Sequence, residues 1–119
     1  MADFVIKHTN ELEHPWPKWI LGRKSLGLSS FGMNITELQP GEQIPEHNEV
    51  ERAQEEVFLT LVGLPTIVIN GKRHPAPEGT FVRLDPKPKR YVVNDGKKVA
   101  RLLIISAPTT SGYQPLDWA

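Results

Sequence analysis

The sequence contains no cysteine, no excess of either charge and no long hydrophobic run. Without cysteine the chain can form neither disulfides nor thiolate metal sites, which fits a reducing compartment. The 14 Lys and Arg residues balance the 14 Asp and Glu residues, so no basic surface for nucleic acid or an anionic membrane is expected. The N-terminus lacks an apolar stretch of signal-peptide length, and no later segment is long enough to span a bilayer. We therefore expect a cytoplasmic protein whose partners include neither nucleic acid nor a membrane.

Long helical patterns are also missing. Eleven prolines and nine glycines separate short apolar runs at intervals of about ten residues, which is typical of antiparallel strands joined by turns. Asn70-Gly71 follows an apolar run and is the preferred pair for a two-residue type I′ hairpin. Residues 57–64 are apolar at nearly every position, which predicts a strand covered on both faces. A chain of 119 residues with this pattern predicts one all-β domain, a sandwich or a barrel.

Three polar residues form a candidate site. His47 and Glu49 are two residues apart, so on an extended strand both side chains leave the same face. Glu56 begins the next apolar run, which contains Glu56-Val57-Phe58-Leu59. One imidazole and two carboxylates are suitable ligands for a divalent cation such as Mn²⁺, Fe²⁺ or Zn²⁺.

The spacing around these residues resembles the first motif of the cupin family, G-x5-H-x-H-x3,4-E-x6-G. Gly41 precedes His47 by the family's interval, and Gly63 follows Glu56 by the family's interval. Glu49 stands where the family has its second histidine. Six residues separate Glu49 from Glu56 where the family has three or four, which we interpret as a longer hairpin loop, V-E-R-A-Q. The resemblance implies a cupin-type double-stranded β-helix, also called a jelly-roll barrel.

Residues 79–94 resemble the second cupin motif, G-x5-P-x-G-x2-H-x3-N. Gly79 and Asn94 match its ends, whereas Asp85 replaces the proline and Arg90 replaces the histidine that is the last metal ligand. A shift of one residue would place Tyr91 at that position instead. The chain is also similar to small single-domain cupins that carry an H-x-E motif followed by E-E-V-F.

Arg90 allows two interpretations if its side chain points inward, because a guanidinium has no lone pair to offer a metal. It can pair with Glu56 or Glu49 and so take the place of the cation. It can alternatively anchor a carboxylate or phosphate of the ligand. If Tyr91 is the inward residue, Arg90 faces solvent and the metal interpretation regains support.

The resemblance covers roughly residues 28–107, which predicts a barrel over that range with extensions at both ends. Residues 1–27 are expected to form an arm or edge strand on the barrel. Residues 108–119 form a tail whose aromatic residues need apolar surface on the same subunit or on a neighbour. The tryptophans lie outside the two motifs and are interpreted as packing residues of the arm and tail. The resemblance also implies a homodimer.

Two functional hypotheses follow. The favoured one is a small-molecule-binding domain that takes a small acid with little or no metal, and its expected ligand contacts are Arg90, Tyr91, Phe58 and Thr60. The alternative is a metal-dependent cupin enzyme, an oxygenase, isomerase or lyase, with His47, Glu49 and Glu56 holding the cation. Val62 would share a side with Phe58 and is expected in the barrel core. Both an enzyme and a binding domain are compatible with the sequence.

Overall fold

Antiparallel strands form two sheets that face each other. In the computed structural model, which describes residues 3–119, the chain has nine strands, one short α-helix and one 3₁₀ helix (Thr9–Glu11). The strands are β1 (Glu13–Trp16), β2 (Trp19–Leu21), β3 (Gly32–Leu38), β4 (Gln54–Val62), β5 (Thr66–Ile69), β6 (Lys72–Pro75), β7 (Phe81–Leu84), β8 (Arg90–Val93) and β9 (Ala100–Pro108), and helix α1 spans Gly22–Leu26. The prediction of an all-β jelly-roll fold is confirmed.

The larger sheet has the strand order β1-β2-β3-β9-β4-β7, and the smaller sheet has the order β6-β5-β8. Residues 43–47 run along the free edge of β8, where Gln43 bridges to Val93 and His47 bridges to Arg90. The Asn70-Gly71 turn joins β5 to β6, and both turn residues have positive φ, as a type I′ turn requires. Within residues 3–119, no helix has the length and hydropathy needed to cross a membrane.

The core lies between the two sheets. Alternate residues of the strands point inward, so each sheet contributes one apolar face. The buried apolar residues that form this core are Leu38, Ile44, Phe58, Ile67, Ala76, Leu84, Val92, Leu102 and Ile104.

The two sheets are tied together at one end, which we call the closed end. There the Asn94 side-chain amide donates to the carbonyl oxygens of Leu38 and Lys98, at 2.8 Å each. The backbone N–H of Gly41 donates to the Asn94 carbonyl at 2.6 Å. Asn94 is fully buried. Since Leu38 ends β3 and Asn94 follows β8, these bonds join the larger sheet to the smaller one.

The N-terminal segment adds edge strands to the barrel. β1 pairs with β2, and β2 pairs with β3, so the arm extends the larger sheet. The arm also contains α1, which the sequence pattern did not predict because five residues are too few to show a helical period. Residues 1 and 2 of the predicted arm lie outside the described range.

The prediction that residues 57–64 are covered on both faces is wrong at the far end. Val62 is 38% exposed, and Leu61 and Leu64 are also exposed. The pairing of β4 with β9 shifts register between Thr60 and Val62, which ends the regular alternation. Val62 is therefore not a core residue.

Candidate functional site

His47 is held by the edge of the smaller sheet. Its backbone N–H donates to the Arg90 carbonyl at 3.0 Å, and the Arg90 N–H donates to the His47 carbonyl at 2.8 Å. The ring Nδ1 lies 3.0 Å from the Pro45 carbonyl oxygen. A carbonyl can only accept, so in the neutral ring Nδ1 carries the proton and Nε2 presents a lone pair. This arrangement orients the imidazole as a base or a metal ligand.

Glu56 and Arg90 form an ion pair inside the barrel. Arg90 Nε lies 3.3 Å from Glu56 Oε1, and the two side chains are 0% and 9% exposed. The geometry of this contact leaves both atoms without a hydrogen bond to any described residue. The remaining guanidinium nitrogens donate to the carbonyl oxygens of Asp85, Pro86 and Pro88. Of the alternatives open from the sequence, Arg90 is the inward residue and pairs with Glu56.

The environment of Glu56 opposes its ionisation. Burial raises the pKa of the Glu56 carboxyl above its usual range, because the charged form loses hydration. The Arg90 charge acts in the other direction, Glu49 raises the pKa further and His47 lowers it. The burial effect is the largest of these, so protonation of Glu56 is easier than protonation of an exposed glutamate.

The three residues predicted as ligands come together. His47, Glu49 and Glu56 each offer one ligand atom, and these atoms all lie within 4.8 Å of one another. Glu49 is fixed at its backbone, where its N–H donates to the Pro86 carbonyl at 2.9 Å. His47 is exposed, Glu49 is half-buried and Glu56 is buried. The cluster therefore runs from the protein surface to the barrel interior.

These residues line a cavity of about 210 Å³, which we call the inner cavity. It opens at the end of the barrel opposite the closed end, near the first residues of β3 and β4 and the last residues of β9. Its lining combines apolar and polar side chains, as is common for small-molecule sites. The lining residues are Trp19, Met33, Asn34, Ile44, His47, Glu49, Arg52, Gln54, Glu56, Phe58, Ile104 and Ser106.

The predicted ligand-contacting residues occupy different positions. Phe58 lines the inner cavity. Thr60 is buried one step deeper on β4, and its hydroxyl has no hydrogen-bond partner among the described residues. Tyr91 is half-buried and packs against the core cluster. Thr60, Tyr91 and Arg90 are not among the described residues that line the inner cavity.

Several cavity residues are not predicted from the sequence, and Trp19 and Arg52 are the most informative of them. Trp19 was interpreted as a packing residue of the arm, but β2 pairs with β3 and brings its ring to the cavity. Arg52 lies in the turn between Glu49 and β4, within the loop that is longer than in the cupin motif. The only signal for Arg52 was that unusual loop length.

Comparison with known proteins is consistent with this architecture. A family model described as "Cupin domain" matches residues 34–106. A solved cupin protein from Bacteroides fragilis superposes with a TM-score of 0.79 at 20% identity, covering 98% of this chain and 93% of that one. Among curated proteins, none matches the sequence of this chain.

Two further solved structures carry names that refer to a reaction. A sugar phosphate isomerase of the cupin superfamily from Silicibacter pomeroyi has a TM-score of 0.69 at 20% identity, with 84% of this chain and 73% of that chain covered. A predicted oxalate decarboxylase from Thermotoga maritima has a TM-score of 0.73 at 15% identity, with 87% and 99% covered. At these identities the likeness establishes the fold.

Proposed function

Because the chain belongs to the cupin family, we propose that its inner cavity binds a small organic molecule together with a divalent cation. The cation would be held by His47, Glu49 and Glu56. One observation carries this proposal: the ligand atoms of these three residues lie within 4.8 Å of one another on the cavity wall.

The donor set fits such a cation. A facial site needs about three nitrogen or oxygen ligands and an open side for substrate or water. His47 supplies its Nε2 as a ligand, because Nδ1 is already engaged by the Pro45 carbonyl oxygen. Arg90 occupies the place of a fourth family ligand but cannot coordinate metal, so the site has three protein ligands. Glu56 has two oxygens, and one can pair with Arg90 while the other remains available.

A cation bound there would act as a Lewis acid toward the organic molecule. The protein contributes the rest of the site. Phe58, Ile44 and Trp19 form the apolar wall, which excludes water and orients the ligand. The Arg90 charge opposes the effect of burial and favours the charged form of the Glu56 carboxylate, which metal binding requires. A cupin oxygenase, isomerase or lyase could use this arrangement.

A second candidate is the binding of a small acid without metal. Arg90 already supplies a positive charge 3.3 Å from Glu56, which reduces the need for a cation. Arg90 is enclosed by the protein, so the acid would pair with another positively charged side chain. Arg52 is the arginine that lines the inner cavity. The solved neighbours named for sugar phosphates and oxalate suggest the same ligand class, small anions.

Metal analysis of the purified protein separates the two candidates. The protein is produced in medium supplemented with Mn²⁺, Fe²⁺ and Zn²⁺, dialysed, and measured by inductively coupled plasma mass spectrometry. We expect a divalent cation in roughly stoichiometric amount, and loss of most of it in His47→Ala because a ligand is removed.

His74→Ala is the matched control, since His74 lies on β6 and does not line the inner cavity. It should retain metal as the wild type does. A folded wild-type protein that contains no metal after supplementation would contradict the first candidate and favour the metal-free acid-binding domain.

We also propose that the protein is cytoplasmic and forms a homodimer. The absence of cysteine supports a reducing compartment. Exposed aromatic residues in the tail support an interface between subunits. Cell fractionation with an antibody against the chain tests the location, and recovery in the membrane or secreted fraction would contradict it.

A further inference from the structure

A second, more open cavity adjoins the inner one, and we call it the outer groove. Its volume is about 390 Å³. Arg23 and Phe31 lie on its wall, and Arg52 lies where it meets the inner cavity. Asn34, Arg52, Gln54 and Ser106 line both cavities, so the two spaces lie side by side and share these four residues.

The two cavities differ in charge. The inner cavity contains the acidic residues Glu49 and Glu56. The outer groove contains Arg23 and Arg52, and no acidic residue is among the described residues that line it. Within residues 3–119, neither arginine takes part in an ion pair. The groove therefore presents two guanidinium groups without a salt bridge inside residues 3–119, although Arg23 donates a hydrogen bond to the Leu28 carbonyl at 3.2 Å.

Arg52 is carried by a turn whose backbone is fixed. Ala53 N–H donates to the Val50 carbonyl at 3.1 Å, and Gln54 N–H donates to the Glu49 carbonyl at 3.1 Å. The Ala53 carbonyl accepts from Thr109 N–H at 2.8 Å, which ties the turn to the end of β9. This turn is the segment that is longer here than in the cupin motif. Its extra length places a guanidinium at the junction of the two cavities.

The inner cavity is too small for a complete ligand of ordinary size. Its volume of about 210 Å³ is below the range of roughly 300–1,000 Å³ that is typical of ligand pockets. The outer groove supplies the missing space. A ligand that extends from the inner cavity into the outer groove would have one end near His47 and the other between Arg52 and Arg23.

We propose that the two cavities bind one elongated molecule whose outer end is a carboxylate or a phosphate. Arg52 receives this anionic group at the junction, and Arg23 contributes from the groove wall, since guanidinium binds both groups through paired hydrogen bonds. The inner end is an uncharged polar group that faces His47, Glu49 and Glu56. This inference rests on the proposed function only in taking the inner cavity as a ligand site.

Three small probes test the proposal: glycerol 3-phosphate, glycerate and neutral glycerol. They share a three-carbon body and differ in the charged group. Binding is measured by isothermal titration calorimetry on the full chain, at low ionic strength and at one fixed pH. We expect at least one anion to bind at millimolar concentration while glycerol does not, and the tighter anion identifies the group that the groove prefers.

Arg52→Gln is expected to weaken binding of that anion roughly tenfold or more, because a charge-assisted pair is lost. Arg23→Gln should weaken it less, since Arg23 lies farther from the junction. Arg83→Gln is the matched control, because Arg83 is exposed on β7 and lines neither cavity. It removes the same charge and should leave affinity unchanged. Equal affinity in Arg52→Gln and Arg83→Gln, or no binding of either anion by the wild type, would overturn the proposal.

His47→Ala separates this inference from the proposed function. The outer groove does not include His47, so anion binding that depends on Arg52 should persist in this variant. Anion binding in a protein that never contains metal would refute the cation and leave the groove assignment standing. Metal binding without anion binding would support the cation site and refute the groove assignment.

Discussion

Arg90 lies in the barrel interior, where it pairs with Glu56. Its guanidinium is completely buried, and one side chain and three carbonyl oxygens surround it. Those carbonyls belong to residues 85–88, which lie in the loop between β7 and β8. Arg90 therefore organises this loop and balances the charge of Glu56 at the same time.

Replacing Arg90 with methionine tests that role. Arg90→Met leaves the Glu56 carboxylate buried without its counterion, and the free energy of unfolding should fall by about 3–5 kcal/mol. Urea unfolding monitored by tryptophan fluorescence measures the change. Arg83→Met is the control, since the Arg83–Asp85 pair is exposed and pairs of this kind contribute about 0–1 kcal/mol. A loss in Arg90→Met as small as that of the control would be evidence against a structural ion pair.

Glu56 gives the stability a defined pH dependence. Burial raises its pKa in the folded state above the ordinary value of 4.5, so the folded state holds this proton more tightly than the unfolded state does. Its contribution to stability is present below pH 4.5 and is lost as pH rises through the folded-state pKa. We expect the wild type to lose stability relative to Glu56→Gln over that interval. Urea unfolding at a series of pH values, with EDTA present, provides the measurement, and a difference that stays constant or grows with pH would contradict it.

Sequence patterns predicted some residues of the site and not others. His47, Glu49 and Glu56 were identified because a two-residue interval and two glycine intervals are local features. The position of Arg90 was left open, because a shift of one residue exchanges the faces of a strand. Arg52 and Trp19 were missed because they reach the cavity through tertiary contacts that have no period in the sequence.

At the scale of the element, the second glycine of the first motif, Gly63, sets where β4 ends. Gly63 follows β4 with φ of +85°, a conformation that glycine adopts at little cost. A Cβ atom at this position would lie 2.5 Å from the Val99 carbonyl oxygen. The residue therefore permits both a left-handed backbone and a close approach of two chain segments.

Gly63→Ala and Gly71→Ala separate these two requirements. Gly71 has φ of +80° and nothing within 4 Å of the added Cβ, so only backbone strain of about 1–2 kcal/mol is expected there. Gly63→Ala adds a backbone collision and should cost about 1–3 kcal/mol more. Thermal and urea unfolding of the two variants give the comparison. Equal losses would mean that the chain near Val99 moves aside without penalty.

Most elements were predictable because turn residues and alternation are strong local signals. The Asn70-Gly71 hairpin formed as expected, with β5 paired to β6. The C-terminal end of β4 is more exposed than predicted. The register shift beside β9 causes this exposure, and it depends on the partner strand and not on the sequence of β4. The pairing of the arm with β3 likewise depends on which edge of the barrel is free.

At the scale of the whole molecule, the tail leaves apolar side chains in water. Tyr113, Leu116 and Trp118 are 77%, 61% and 83% exposed. Clusters of exposed large apolar residues commonly mark interaction sites. The tail follows β9, whose last residues border the outer groove, so a subunit covering the tail would also lie near the ligand site.

We expect sedimentation equilibrium to give twice the 13.4 kDa mass of one chain. Replacing Tyr113, Leu116 and Trp118 together by serine should shift the protein toward the monomer, because the interface loses its apolar anchors. Leu61→Ser with Leu64→Ser is the control, since these exposed residues lie at the closed end. A wild-type protein that sediments as a monomer at micromolar concentration would refute the homodimer.

The fastening of the two sheets at Asn94 has a consequence for ligand exchange. The hydrogen bonds of Asn94 bind β3 and β8 at one end, while the mouth of the cavity lies at the other. When the two sheets separate at the mouth, the ion pair of Arg90 on β8 with Glu56 on β4 has to open, while Asn94 keeps the closed end together as a hinge. Amide hydrogens beside His47 and Asn34 should therefore exchange with deuterium sooner than those beside Asn94. Small molecules should enter and leave through the mouth, at the end that opens.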